Sequence, residues 1–138
     1  MSLYYVKLYV VSLFAFLVVD AVWLRLMYPT FYRSRIGYLM APDLKLTAAL
    51  VFYLLFIAGL LVFVIVPGLT AGPMGAALAR AALYGLVTYG TYDLTSLATF
   101  RDWPLSVTVV DMLWGATVSM LVSLVGLRFG KRIGRPGA

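Results

Sequence analysis

The chain contains no cysteine, no histidine and no glutamate. Without cysteine there are no disulfides and no iron–sulfur clusters. Without histidine there is no His-ligated haem, and without either residue no Cys/His zinc site. A Cys-His or Ser-His-Asp nucleophile system is equally excluded within one chain. Charge of either sign is scarce, at 12% of residues, while 64% are apolar and the mean hydropathy is +1.00. A soluble domain is about 45–50% apolar and about 25% charged. Too little polar material is present to cover a globule, and far too much apolar material for a disordered chain. The composition therefore describes a helical integral membrane protein.

The whole acidic set is Asp20, Asp43, Asp93, Asp102 and Asp111, against 11 Lys and Arg, for a net charge of +6. In a soluble protein that excess would suggest nucleic acid. Here it points to membrane lipids, anionic ones included, and to topology control, with no nucleic-acid partner. The flank Met1–Lys7 holds one charge, the apolar run behind it reaches Met27, and no A-x-A cleavage site follows. The segment reads as an uncleaved first span rather than a signal peptide.

A bilayer-crossing helix needs about 20 mostly apolar residues. Four stretches qualify: 5–27, 44–66, 75–100 and 105–127. Pro29 follows the first, Pro67-Gly68 and Gly72-Pro73 bracket a turn after the second, and Arg101-Asp102-Trp103-Pro104 makes a polar corner before the fourth. Connections this short make sequential spans antiparallel neighbours. The expected fold is all-α: one domain over 1–127, an integral membrane four-helix bundle, up-down-up-down, with both termini on the same side. The long loop, Tyr28 to Lys45, is dense in aromatics and arginine, which suits the headgroup layer. A short interfacial helix around Phe31–Leu39 and an irregular loop lying on the bundle both fit it. Residues 128–138 form a basic tail, of which the stretch KRIGRPGA from Lys131 is expected to be disordered and to touch anionic lipid.

The side holding the termini carries Lys7, Arg80, Arg128, Lys131, Arg132 and Arg135; the other carries Arg25, Arg33, Arg35, Lys45 and Arg101. The dense C-terminal cluster favours cytoplasmic termini.

Three acids fall inside spans. Asp20 lies seven residues before Met27, Asp93 seven before Phe100 and Asp111 six after Leu105. At 1.5 Å per residue all three sit roughly 10 Å below one membrane face. A charged Asp at mid-bilayer costs about 2.5–3.5 kcal/mol. Three at one depth are expected to turn inward and to meet. Helical spacing puts Phe16 and Trp23 with Asp20, Tyr89 and Ser96 with Asp93, and Thr108, Trp114 and Gly115 with Asp111; Thr88, Tyr92, Thr95 and Thr99 flank Asp93. Arg25 and Arg101 lie on the same side and could neutralise a carboxylate. The candidate ligand-binding set is Asp20, Asp93, Asp111, Tyr89, Tyr92, Trp23, Trp114 and Thr95, with Arg25, Arg33, Arg35 and Arg101 as headgroup or counter-ion residues.

Two rows of small residues, Ala77/Ala81/Gly85 and Gly115/Ser119/Ser123, allow close helix approach. Packing within the chain is the expected use, with a homo-oligomer seam as the alternative. No lysine lies mid-span, against a retinal-type Schiff base, and no cofactor or metal site is expected.

At these residues the sequence resembles a bacterial family of small predicted membrane proteins, domain of unknown function two-one-seven-seven. The resemblance rests on Asp20-x-x-Trp23-Leu24, on Phe31-Tyr32 with Ile36-Gly37, on Tyr92-Asp93-Leu94-Thr95 with Ala98-Thr99, on Trp103-Pro104, and on Asp111-x-x-Trp114-Gly115. It runs from about Val11 to Leu127 and implies a four-span protein of the bacterial inner membrane, without an activity. Four functions stay open. The leading one is binding of a lipid headgroup, cation or small polar ligand in a pocket lined by the three Asp. The next is an accessory or assembly subunit with a structural Asp layer. An oligomeric proton-coupled transporter and a lipid-modifying enzyme follow; no activated nucleophile supports the last.

Overall fold

A computed structural model of the chain describes residues 2–135. Among them the fold is all-helical, with no strands. We number four long helices: α1 (Ser2–Leu39), α2 (Leu46–Thr70), α3 (Met74–Thr99) and α4 (Leu105–Ile133). The first, second and fourth are each long and apolar enough to cross a membrane. The third, of 26 residues, is as long but carries Arg80, Asp93 and many Thr and Tyr, and it forms with α4 the most extensive pairing in the bundle.

Two helices run past the prolines expected to end them. In α1 the regular helix Ser2–Met27 passes into one wide turn, Tyr28–Tyr32, in which the Arg33 N–H donates to the Tyr28 carbonyl five residues back. Arg33–Ile36 and a tight turn at Gly37–Leu39 follow. A proline has no N–H to give and its ring crowds the carbonyl four residues earlier. The wider turn relieves that crowding, and the Thr30 hydroxyl donates to the Leu26 carbonyl at 2.7 Å. The segment is thus a helical continuation of the first span. In α2 a second wide turn, Leu61–Ile65, precedes Pro67, with the Val66 N–H donating to the Leu61 carbonyl. The helix ends at Thr70 instead of Val66. At the other terminus α4 continues to Ile133, so the first six residues of the expected tail are helical. Residues 136–138 lie outside the described residues.

The order of contacts fixes the arrangement. The Tyr4 hydroxyl donates to the Gly130 carbonyl at 3.1 Å, and Trp114 meets Asp20, so α1 and α4 are antiparallel. Tyr84 donates to the Phe56 carbonyl at 2.8 Å while Gly68 faces Ala77, so α2 and α3 are antiparallel. The start of α1, the α2–α3 corner and the end of α4 share one end of the bundle, since Leu69 and Tyr4 both reach Gly130. At that end Leu8, Phe16, Ile57, Leu60, Ile65, Val118, Val122 and Leu127 are fully buried in one core. Gly85 and Gly115 let α3 and α4 touch backbone to backbone: a methyl on Gly85 would lie 2.0 Å from the Gly115 carbonyl oxygen.

The other end is built differently. From Leu46 to Leu55 only Tyr53 is not exposed. The first half of α2 therefore presents apolar side chains outward all round, and at this depth the interior belongs to α1, α3 and α4. A second, smaller core of Tyr32, Trp103 and Val107, bordered by Trp23, Met27, Phe31, Ile36, Met40 and Leu97, closes that end.

Candidate functional site

The three intramembrane acids lie between the two cores, and each is held differently. Asp20 faces inward from α1 because Phe16, one turn before it, is anchored in the main core against Tyr53 and Phe56. Its Oδ1 accepts from the Trp114 indole N–H at 3.2 Å and its Oδ2 from the Tyr53 hydroxyl at 3.1 Å. Asp111 on α4 accepts from the Tyr32 hydroxyl, which itself accepts from the Trp23 indole N–H at 3.1 Å. Trp23 and Trp114 stack face to face, with ring centroids 4.2 Å apart and planes 4° from parallel. One stacked pair of indoles thus sends one N–H toward each branch: Trp114 to Asp20, and Trp23 through Tyr32 to Asp111.

Asp93 on α3 is fully buried, and neither carboxyl oxygen has a hydrogen-bond donor. Its side chain abuts the Asp111 carboxyl, close enough for a hydrogen bond if one proton lies between them. The backbone at Asp93 is pinned: the Thr108 hydroxyl donates to its carbonyl at 3.3 Å and accepts from the Trp103 indole at 3.0 Å. Tyr89, one turn earlier on α3, lies over Gly115, where a side chain would collide with its ring, and is near enough to sense the charges of Asp20 and Asp111. The carboxyls are linked in series rather than gathered about a point. Among the described residues no group of three His, Cys, Asp or Glu could hold a metal ion.

Of the residues singled out from the sequence, Asp20, Asp93, Asp111, Trp23, Trp114 and Tyr89 come together. Tyr92, within reach of Asp93 and Asp111 but largely exposed, stands at the edge of the group, and Thr95 lies outside it. Tyr92 is 57% exposed, with its ring edge-on to Trp103, and Thr95 is exposed and bonded to carbonyls of its own helix. They sit 100° and 200° round α3 from Asp93, too far to share its face. No guanidinium stands among the groups acting on the three carboxyls. Arg25, Arg33 and Arg101 are exposed at the rim, and Arg35 is spent on the Ser106 hydroxyl at 3.1 Å and the Phe31 ring. The neutralising role expected of Arg25 or Arg101 is therefore not filled.

Sequence reasoning missed two donors, Tyr32 and Tyr53. Tyr53 lies seven residues after Leu46, at the depth of the acids, but α2 carries no acid to draw attention to it. Tyr32 lies beyond Pro29, outside the first span as read from hydropathy; its only signal was its place in the Phe31-Tyr32 pair.

Two of the grooves on the outer surface border these helices. One, of about 260 Å³, runs between α1 and α4 and is lined by Val18, Val19, Val22, Trp23, Leu26 and Trp114. The other, of about 410 Å³, lies along α3 and α4 over Gly90 and Met112.

A family model described as predicted membrane protein (DUF2177) matches residues 5–128. No curated protein and no solved structure matches the chain.

Proposed function

Because the chain belongs to this family of predicted membrane proteins, we propose that its function is exercised within the bilayer: Asp93 and Asp111 bind the cationic or hydrogen-bond-donating head of a small polar or lipid ligand. The observation that carries this reading is Asp93, wholly enclosed, with no hydroxyl, amide, indole or guanidinium donor to either carboxyl oxygen. The Asp20 carboxyl, by contrast, is satisfied by Trp114 and Tyr53. A buried acceptor left without a donor costs about 1–3 kcal/mol. Asp93 brings the bundle that cost, and the bond available to it within the chain is one shared proton with Asp111. A ligand bearing N–H groups or a positive charge supplies what is missing.

A second reading has its own support. The bonds to Asp20 and Asp111 join α1, α2 and α4, as a structural layer in an accessory subunit would. Asp93→Asn separates the two. The binding reading expects stability within about 0.5 kcal/mol of wild type or above it, since the Asn amide can still donate to Asp111. It also expects that native mass spectrometry of the full chain in nanodiscs loses a small-molecule adduct that wild type retains. A structural layer predicts lower stability and unchanged adducts, and that result would overturn the binding reading.

A further inference from the structure

We infer that the ligand is a bilayer-borne amphiphile with an amine head and an alkyl chain, and that it reaches the carboxyls sideways, through the groove between α1 and α4. This rests on the proposed binding role of Asp93 and Asp111 and adds the ligand's class and its route.

The route follows from what blocks the others. Toward the nearer membrane face, the carboxyls are capped by the core of Tyr32, Trp103 and Val107, with Phe31, Ile36 and Met40 around it. Toward the farther face lies the main core, packed to zero exposure. The way in is lateral. Of the two grooves, the larger one along α3 and α4 is lined by Leu86, Val87, Gly90, Thr91, Leu94 and Met112, none of which is bonded to a carboxyl. The smaller one is floored by Trp23 and Trp114, whose N–H groups lead to Tyr32 with Asp111 behind it and to Asp20. The proposed route requires the stacked indoles to slide aside, so that the apolar groove opens onto the acids.

The occupant follows from charge and shape. Carboxyl oxygens accept from the N–H groups of an ammonium, whereas a phosphate or carboxylate head brings further oxygens against them. An ammonium brings three donors, enough for the adjoining carboxyls of Asp93 and Asp111. The walls contributed by Val18, Val19, Val22 and Leu26 are wholly apolar and suit an alkyl chain.

Two of the chain's three tryptophans are the stacked pair that lines the groove, and the third, Trp103, is buried in the cap. The unaltered full-length chain, in nanodiscs, is titrated with a long-chain alkylamine brominated along its chain, and with the brominated alkyl phosphate and alkanol of equal length. Saturable quenching by the amine is expected, with only the linear background of bulk bilayer from the other two. Adding Asp93→Asn and Asp111→Asn should abolish the saturation. Adding Val22→Phe, which fills the groove, should raise the half-saturation about tenfold, a loss of about 1.4 kcal/mol; Val22→Leu serves if the larger residue impairs folding. Equal quenching by all three heads, or an amine response indifferent to the groove, overturns the inference. The proposed binding role is read separately, from the adduct that Asp93→Asn loses. An adduct lost without an amine response means a different ligand at the same acids; an unchanged adduct removes the binding role itself.

Discussion

The two ends of this bundle are made of the same helices yet solve different problems. Around Phe16, Ile57, Leu60, Val118 and Val122 all four helices share a core, and the backbones of α3 and α4 touch at Gly85 and Gly115. Ten ångströms nearer the opposite face, the first half of α2 turns its side chains outward and contributes only Tyr53. There the interior is filled by Trp, Tyr and Asp joined by hydrogen bonds. In a bilayer the acyl chains are as apolar as a leucine core, so helices are held by packing and by polar contacts rather than by the hydrophobic effect. One end uses the first means and the other the second. Because the packed end holds the helices together, the polar end can carry a carboxyl that no protein group satisfies.

This division can be tested by how much each end costs to damage. The largest loss is expected for Gly85→Val, which forces apart the α3–α4 contact: about 3 kcal/mol, measured by unfolding in rising mole fraction of dodecyl sulfate. Asp20→Leu should follow at about 2 kcal/mol, since it leaves the Trp114 indole and the Tyr53 hydroxyl without an acceptor. Tyr53→Phe removes one of those bonds and should cost about 1 kcal/mol, read in the same titration. Asp93→Asn stands last, near zero. If Asp20→Leu proved more damaging than Gly85→Val, the carboxyl layer would be the principal fastening and the comparison would be reversed.

Much of this was legible in the chain. Hydropathy and the short Gly/Pro and Trp-Pro corners marked four helices, because an apolar run of span length admits few other structures in lipid. The common depth of Asp20, Asp93 and Asp111 was simple arithmetic, since rise per residue hardly varies along a helix. Less legible were Pro29 and Pro67, which punctuate most sequences but here are absorbed by wide turns that depend on neighbouring packing. Ending the first span at Pro29 hid Tyr32 by placing it in the connection, whether as an irregular loop or a short interfacial helix. Tyr92 and Thr95 were drawn in by nearness along the chain, when the angle around α3 decides what faces Asp93. The rim arginines were matched to the acids by side of the membrane alone; long side chains with water and headgroups in reach do not turn inward.

The wide turn at Tyr28–Tyr32 has a consequence for the mouth of the site. A regular helix advances about 100° per residue, so one residue more in a single turn rotates everything beyond it by that angle. Tyr32 and the segment to Leu39, which fastens over the Asp102 corner through the Tyr38 hydroxyl, owe their compass bearing to that surplus residue. Shortening the turn by one would swing the whole cap off its seat while leaving the membrane-spanning part of α1 in register. The lid over the acids is thus set by angular phase, independently of the spans beneath it.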